Sequence, residues 1–183
     1  MISIVKYNSI VILSFFFISL VVLILKYITH NASNNILFST YRSSILNPLT
    51  YIRLFTHIFG HSSWGHFMNN FLYILLIGPM VEEKYGSKNL LIMIGITALV
   101  TGLINNIFTK KRLLGASGIV FMLIVLSSFV NTTNGIPLTL ILICLFYVVD
   151  EIIKMIIRKD NVSHVGHLIG ALCGFIFGFY IFK

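Results

Sequence analysis

The sequence predicts an all-α membrane protein, a compact bundle of six transmembrane helices with one long first loop. Three observations support this fold class. Of the 183 residues, 57% are hydrophobic and only 10% are charged, and the mean hydropathy is +0.97. This composition is too apolar for a soluble core with a polar surface. Apolar runs near the length that crosses a bilayer, about 20 residues, follow one another along the chain.

Six candidate spans can be read along the chain, at roughly 7–28, 66–81, 90–108, 116–130, 137–153 and 165–182. With one long connection they occupy nearly the whole sequence, so we expect a single domain over residues 1–183. The first apolar run follows Lys6, as in a signal peptide, but it is long for such a segment. Lys26 also stands where a small-residue cleavage site would be expected, which favours a retained helix.

The connection over residues 29–65 alternates apolar clusters with asparagine, serine and proline. Such alternation indicates short helices that lie partly embedded in the membrane interface. The net charge is +8, but the basic residues are scattered among short loops. Anionic lipid headgroups are therefore the expected partner of this charge, and nucleic acid is not. Cys144 and Cys173 fall inside apolar segments and are interpreted as small buried hydrophobic residues.

His66 and Asn70 are four residues apart at the start of the second span, so they share one helix face. An imidazole and an amide left unsatisfied against lipid would cost several kcal/mol, about 2–7 for the amide alone. They must therefore face the bundle or a water-filled cavity. On their own, they could simply be hydrogen-bonding residues that hold neighbouring helices together.

Residues 115–118 read Gly-Ala-Ser-Gly and follow a basic turn at the start of the fourth span. Small residues of this kind also occur wherever transmembrane helices pack closely. Their position puts Ser117 near a helix N-terminus, where free backbone N–H groups can stabilise an oxyanion. Phe121 lies one turn further on and is either a support for a histidine ring or ordinary core.

His167 opens the last span, in which glycine recurs at positions 166, 170, 174 and 178. A glycine at every fourth position makes a groove along one helix face, so that a partner backbone can approach closely. If the helix of Ser117 packs into this groove, the serine and the imidazole can come within hydrogen-bonding reach. A lone histidine here would otherwise be interpreted as structural, but this geometry is what a base needs to deprotonate a serine.

A metal or haem site is the main rival chemistry, and its candidate ligands are His57, His61, His66, His164 and His167. His57 and His61 have i, i+4 spacing, but the sequence contains no HExxH motif. The nearest clear carboxylates, Glu82 and Asp150, stand at the far ends of their spans. Membrane aspartyl proteolysis needs paired intramembrane aspartates, and the chain has only Asp150 and Asp160. A serine–lysine dyad is disfavoured because no lysine lies in mid-span.

Five motifs in order resemble the rhomboid family of intramembrane serine proteases over nearly the whole chain. They are residues 53–61 (RLFTHIFGH), His66 with Asn70, Val81-Glu82 with Gly86, Gly115 to Gly118, and His167 with Gly170 and Gly174. Ile52 stands where many members of the family have tryptophan.

The resemblance implies a six-helix bundle in which Ser117 is the nucleophile and His167 the general base, a dyad without an acidic third member. It further implies an oxyanion hole built from His66, Asn70 and the Ser117 N–H. No cofactor or metal is implied, and the expected substrates are transmembrane proteins, single-pass or other. A catalytically silent rhomboid-like protein that binds membrane clients is the alternative, although such proteins typically lack the serine or the histidine.

The expected location is a bacterial-type plasma membrane, which the chain crosses several times. In bacterial relatives the dyad opens to the extracytoplasmic side. The positive-inside rule instead places the basic loops beside Ser117 and His167 in the cytoplasm. The orientation therefore stays open at this point.

Overall fold

The computed structural model describes residues 7–132, 135–157 and 163–181. Lys6, Asp160 and the expected end of the last span at residue 182 lie outside these residues. Within the described part of the chain the structure is helical, with one isolated backbone bridge between Thr40 and Leu113. The α-helices are α1 (Ile10–Ile28), α2 (Ala32–Ile36), α3 (Pro48–Thr56), α4 (Trp64–Tyr85), α5 (Ser87–Phe108), α6 (Ser117–Ser127), α7 (Leu138–Ile143), α8 (Val149–Ile157) and α9 (His164–Ile176).

Two helices in the described residues, α1 and α5, are long and apolar enough to cross a membrane by length and composition. Helix α6 and the helical segment His164–Tyr180 are also apolar but shorter. The long first connection contains α2, α3 and a 3₁₀ turn at His57–Phe59. The prediction that short helices interrupt this loop is therefore confirmed.

Helix α4 runs to Tyr85, beyond the predicted end at residue 81, and only Gly86 separates it from α5. The reason is Glu82, whose buried carboxylate is used inside the bundle and not in a loop. It accepts hydrogen bonds from the backbone N–H groups of Val11 (3.0 Å) and Ile12 (3.1 Å) and from the Ser87 hydroxyl (2.7 Å). A carboxylate suits the N-terminus of α1, because that end carries unpaired N–H groups and the positive end of the helix dipole. Gly86 makes the sharp turn with φ +81°.

The main core lies where α1, α4, α5 and α6 meet, and it contains Phe71, Ile74, Met93 and Leu123. Helix α1 approaches α4 closely at Gly78, where an added Cβ would lie 2.5 Å from the Ile12 side chain. The first helix is thus packed into the same core as the helices that follow it.

Helices α6 and α9 are in backbone contact along the predicted glycine groove. A Cβ at Gly170 would lie 2.0 Å from the carbonyl oxygen of Gly118, and one at Gly174 would lie 2.7 Å from that of Met122. Further along, a Cβ at Gly178 would lie 2.6 Å from the Phe129 ring. The prediction that the Ser117 helix packs into this groove is confirmed, and the groove fixes where the two helices start relative to each other.

The fifth apolar segment is one helical rod formed by α7, a π turn at Cys144–Val148, and α8. It continues to Ile157, beyond the predicted end at residue 153. Over Leu138–Ile157 only Leu140 and Glu151 are buried. This rod therefore packs against the bundle far less than α6 or α9 does, and most of its apolar side chains face outward.

Candidate functional site

Ser117 is the first residue of α6, and the loop before it is hydrogen-bonded to the long connection over residues 29–65. The N–H of Gly115 donates to the carbonyl oxygen of His57 at 3.0 Å. Gly115 has φ +117°, a conformation that favours glycine, and an added Cβ would lie 2.7 Å from the His66 ring. The first N–H groups of α6, including that of Ser117, lack intrahelical acceptors. Ser117 is thus presented at a helix N-terminus, as the sequence predicts.

Ser117 and His167 line the same cavity, which has a volume of about 550 Å³. His66, Asn70, Tyr73 and Arg112 also contribute to its walls. The serine hydroxyl and the imidazole make no direct hydrogen bond to each other in this structure. The starts of α6 and α9 are nevertheless fixed relative to each other by the contact between Gly170 and the Gly118 backbone. The serine and histidine side chains therefore border one shared cavity.

The His167 ring lies flat on Phe121, with ring centroids 4.5 Å apart and an interplanar angle of 10°. Phe121 is one helical turn after Ser117 on α6, so a single helix carries both the serine and the support of the imidazole. Both interpretations of Phe121 hold, because the ring supports the imidazole and also packs against the hydrophobic cluster of Val125 and Phe129. Stacking restricts the imidazole to one plane beside the cavity.

His66 has hydrogen bonds that identify its neutral tautomer. Its Nδ1 receives a bond from the backbone N–H of Ser62 (3.4 Å) and lies 3.1 Å from the Ser62 hydroxyl. A backbone N–H can only donate, so Nδ1 carries the lone pair and Nε2 carries the proton. The Nε2 side of the ring packs against Gly115. The ring is therefore available as a hydrogen-bond donor next to the start of α6.

Asn70 is buried and is oriented by His61, with its amide nitrogen 3.1 Å from His61 Nε2. His61 Nδ1 lies 3.1 Å from the carbonyl oxygen of Phe59, so it must donate there, and Nε2 is left as the acceptor for Asn70. One N–H of the Asn70 amide is thus used by His61, and the amide keeps a second N–H. The predicted pair His66 and Asn70 is brought together with Ser117 around Gly115.

His57 and His61 are buried structural residues of the long connection. His57 Nδ1 lies 3.1 Å from the Arg53 carbonyl oxygen, and its Nε2 lies 3.4 Å from the Thr101 hydroxyl. Burial lowers the pKa of His57 from 6.5 to about 4 and that of His61 to about 3. Both imidazoles are neutral at physiological pH, and the hydrogen bonds of their nitrogens account for their positions without a metal ion.

Glu151 is the residue that the sequence interpretation missed. Its Oε2 accepts from Nδ1 of His167 at 2.9 Å and from Nδ1 of His164 at 2.7 Å. The resemblance implies a dyad without an acidic third member, and the structure nevertheless places the Glu151 carboxylate against the His167 ring. Asp150, the carboxylate singled out from the sequence, is half-exposed and pairs with Lys154. A signal was present, because an ionisable residue within an apolar segment points to function by default.

The same three residues also have the composition of a metal site. One ligand atom from each of Glu151, His164 and His167 lies within 4.8 Å of the others. Two imidazoles and a carboxylate are a common donor set for zinc. Here, however, the two Nδ1–H groups point at Glu151 Oε2, so the same ligand atoms are used in hydrogen bonds to one another.

The arrangement defines a class of site in which a helix-start serine, a stacked histidine and polar donors surround one cavity in an apolar helical bundle. The rhomboid domain model matches residues 48–183. The chain belongs to the rhomboid family, which consists of integral membrane proteins and includes intramembrane serine proteases. The family that the five motifs predict is confirmed.

The chain is also similar to the rhomboid protease GlpG of Salmonella newport (strain SL254), Salmonella heidelberg (strain SL476) and Salmonella schwarzengrund (strain CVM19633). In each case 38% of residues are identical over 71 residues, which is 39% of this chain and 26% of the relative. The matched part thus spans about a quarter of the length of these curated relatives.

Proposed function

We propose that this chain is an intramembrane serine protease that cuts peptide bonds in or next to transmembrane segments of other proteins. The observation that carries the proposal is the shared cavity of Ser117 and His167, with the two helix starts fixed by the contact of Gly170 with the Gly118 backbone. Membership of the rhomboid family supports the reaction class.

In this mechanism Ser117 Oγ attacks the carbonyl carbon of the scissile bond, and His167 takes the hydroxyl proton at Nε2. The protonated imidazole then gives this proton to the leaving amine. Water then enters through the cavity and attacks the acyl-enzyme carbonyl while His167 Nε2 takes one of its protons, and the imidazolium returns that proton to Ser117 Oγ as the ester bond breaks. Oγ and Nε2 are expected to come within hydrogen-bonding distance when a substrate fills the cavity, since such bonds are often long before substrate binds.

The oxyanion that forms in this step is held by Nε2–H of His66, the second amide N–H of Asn70 and the backbone N–H of Ser117. The tautomer of His66 supports its role, because the bond from the Ser62 backbone leaves Nε2 as a donor. Removing one such donor commonly costs about 10²- to 10³-fold in rate.

We further propose that the whole chain acts as one multi-pass domain in a bacterial-type plasma membrane. Six spans would be α1, α4, α5, α6, the rod Leu138–Ile157, and α9 with the π-helical turn Phe177–Ile181 that continues it. The packing of α1 on α4 at Gly78 and the capping of α1 by Glu82 support a single unit. Substrates would be transmembrane helices that unwind easily, since an intact helix shields its peptide bonds; glycine-containing helices fit this need.

A fluorophosphonate probe tests the proposal directly, because it reacts only with an activated hydroxyl. We expect labelling of the purified wild-type protein, and no labelling of Ser117→Ala or His167→Ala. Matched controls are Ser127→Ala, a serine at the far end of α6, and His30→Asn, an exposed histidine at φ +47°. Both controls should label like wild type.

The same variants are then tested for cleavage of single-pass helices that contain glycine. His66→Ala and Asn70→Ala are expected to cleave about 10²- to 10³-fold more slowly than wild type. Labelling that persists in Ser117→Ala, or a wild-type protein that binds these helices but neither cleaves nor labels, would refute the protease assignment. The second result would favour a client-binding protein.

A further inference from the structure

The carboxylate of Glu151 meets the side of the His167 ring that faces away from the proposed proton transfer. Glu151 is on α8 and His167 is on α9, and the Oε2–Nδ1 distance is 2.9 Å. Both side chains are buried, with 6% and 9% of their surface exposed. Carboxylate, imidazole and serine thus follow one another across three helices.

We propose that Glu151 is a positioning residue that makes His167 a base. It does so by holding the proton of the neutral ring on Nδ1 and the lone pair on Nε2. The inference rests on the proposed function and deepens it, because it adds Glu151 to the expected dyad and makes a triad of three groups. A carboxylate can only accept when ionised, so the ring nitrogen beside it must carry the hydrogen.

Only one proton changes its place within this triad. One proton moves from Ser117 Oγ to His167 Nε2, and the Nδ1 proton stays between the ring and Glu151. The imidazolium formed in this way lies next to a negative charge inside an apolar bundle, where a charge pair is strong. The carboxylate thereby stabilises the ring when it is charged, and the proton leaves again with the amine of the product.

The setting of Glu151 indicates that it serves more than packing. Along the rod Leu138–Ile157 the only other buried residue is Leu140. Burying an ionisable group at membrane depth is costly unless it is paired. A helix that needed only to pack here would do so with another apolar residue. The carboxylate also contacts the ring that stacks on Phe121, so that Phe121 fixes the plane of the imidazole while Glu151 fixes its tautomer.

Other charged and titratable groups surround this pair. On α8, Lys154 Nζ lies 3.8 Å from the second oxygen of Glu151, and Asp150 pairs with Lys154. On α9, His164 shares Glu151 Oε2 with His167. From α4, His66 lines the cavity with His167. Glu151 is the one carboxylate among these groups that contacts His167.

The test measures the rate of fluorophosphonate labelling against pH for wild type, Glu151→Gln and Glu151→Asp. Glutamine keeps the size but lacks the charge, and its amide can present either a donor or an acceptor to Nδ1. We expect labelling of Glu151→Gln to be about 10²-fold slower, with the acid side of its profile displaced to lower pH because the imidazolium loses its counter-charge. Glu151→Asp keeps the charge and should recover part of the rate and the wild-type profile.

Asp150→Asn is the matched control, since it removes a neighbouring carboxylate that does not touch His167. It should label like wild type at every pH. A Glu151→Gln rate within about threefold of wild type would overturn the proposal. So would a slower rate with an unchanged pH profile, because that result is what a purely structural role of Glu151 predicts.

A second measurement needs no variant at Glu151 and so does not depend on how such a variant folds. Ring-¹⁵N histidine spectra of the wild type at neutral pH should show His167 protonated at Nδ1 and bare at Nε2, with His167→Gln identifying the signal. The reverse tautomer would overturn the proposal. Chelation distinguishes a metal site from a triad. Labelling of the wild type should be unchanged by EDTA. If EDTA abolishes labelling and added zinc restores it, the three groups bind a metal ion instead.

Failure of this inference is distinguishable from failure of the proposed function. If wild type does not label at Ser117 and cleaves no helix, the protease assignment itself fails. If wild type labels at Ser117 and Glu151→Gln behaves in the same way, the dyad acts alone and only the role of Glu151 is lost.

Discussion

The two helical segments that meet at His167 are held in place in different ways. Helix α9 lies directly on the backbone of α6, with the space for a side chain at Gly170 already filled by the Gly118 carbonyl. The rod Leu138–Ile157 has only two buried residues, and one of them is the ionisable Glu151. One contact is steric and continuous along the helices, whereas the other is polar and local.

This difference separates two requirements of the site. The positions of serine and histidine are set by backbone contact, which cannot relax without moving whole helices. The rod next to them is held loosely, and its outward apolar residues suit lipid contact and add little to the core. Substitutions in the two regions should therefore differ strongly in their consequences.

The largest effect is expected for Gly170→Ala compared with Gly95→Ala. The same methyl group is added to a helix in both variants, but at Gly95 nothing lies within 4 Å of it. Gly170→Ala should lose about 3 kcal/mol or more of stability and all labelling, because a backbone must move. Gly95→Ala should be neutral or gain up to about 1 kcal/mol. Thermal unfolding in detergent measures both, and equal effects would contradict the groove.

Acid should act next most strongly, through the connection that supports the start of α6. The unfolded chain protonates His57 and His61 near pH 6.5, whereas the folded chain does so only near pH 4 and pH 3. The unfolded state thus binds more protons in this window, so stability is complete above pH 6.5 and falls as the pH decreases towards 4. The slope should be about 1.4 kcal/mol per pH unit for each imidazole.

Unfolding free energies at pH 7 and pH 5 measure this slope. His57→Asn keeps an amide near the Arg53 carbonyl but does not titrate, so its slope should be about half that of wild type. A wild-type stability that does not change between pH 7 and pH 5 would contradict the prediction.

A pair of isoleucines sharpens the comparison between the two regions. Ile119 on α6 is fully buried, and Ile153 on α8 is about half exposed at 48%. Ile119→Ala should cost about 2–5 kcal/mol, because it leaves a cavity in a packed core. Ile153→Ala should cost less than about 1 kcal/mol. Chemical unfolding of both variants measures the difference, and similar costs would show that the rod is packed as tightly as α6.

The smallest of these effects is expected for Phe121→Leu, with Phe175→Leu as its control. Both rings are partly buried in the same cluster, but only Phe121 stacks on His167. Phe121→Leu should slow labelling about tenfold with little change in stability, since a stacked pair is worth about 0.5–1.5 kcal/mol. Phe175→Leu should label like wild type. Equal labelling of the two variants would show that stacking does not position the imidazole.

The sequence was a good guide where function depends on spacing along one helix. Four-residue spacing put His66 and Asn70 on one face, and the glycines at 170 and 174 predicted the contact with α6. These features follow from helix geometry alone. The family motifs then added the order of the helices.

Spacing along one helix could not predict contacts between helices. Glu151 and His167 are separated by 16 positions, and a π turn before α8 changes which face its residues present. Glu82 was assigned to the end of a span for a similar reason, because its partners Val11 and Ile12 are about 70 positions away. Such pairs are visible only once the helices are assembled.

The capping of α1 by Glu82 also bears on where a shortened version of this protein can begin. The family match starts at residue 48, but a chain cut there would leave a buried carboxylate without its two backbone donors. It would also uncover Gly78 and the side of α4 on which Ile12 rests. The smallest fragment that retains this architecture therefore includes α1. The start required for folding thus lies well upstream of residue 48, where the family match begins.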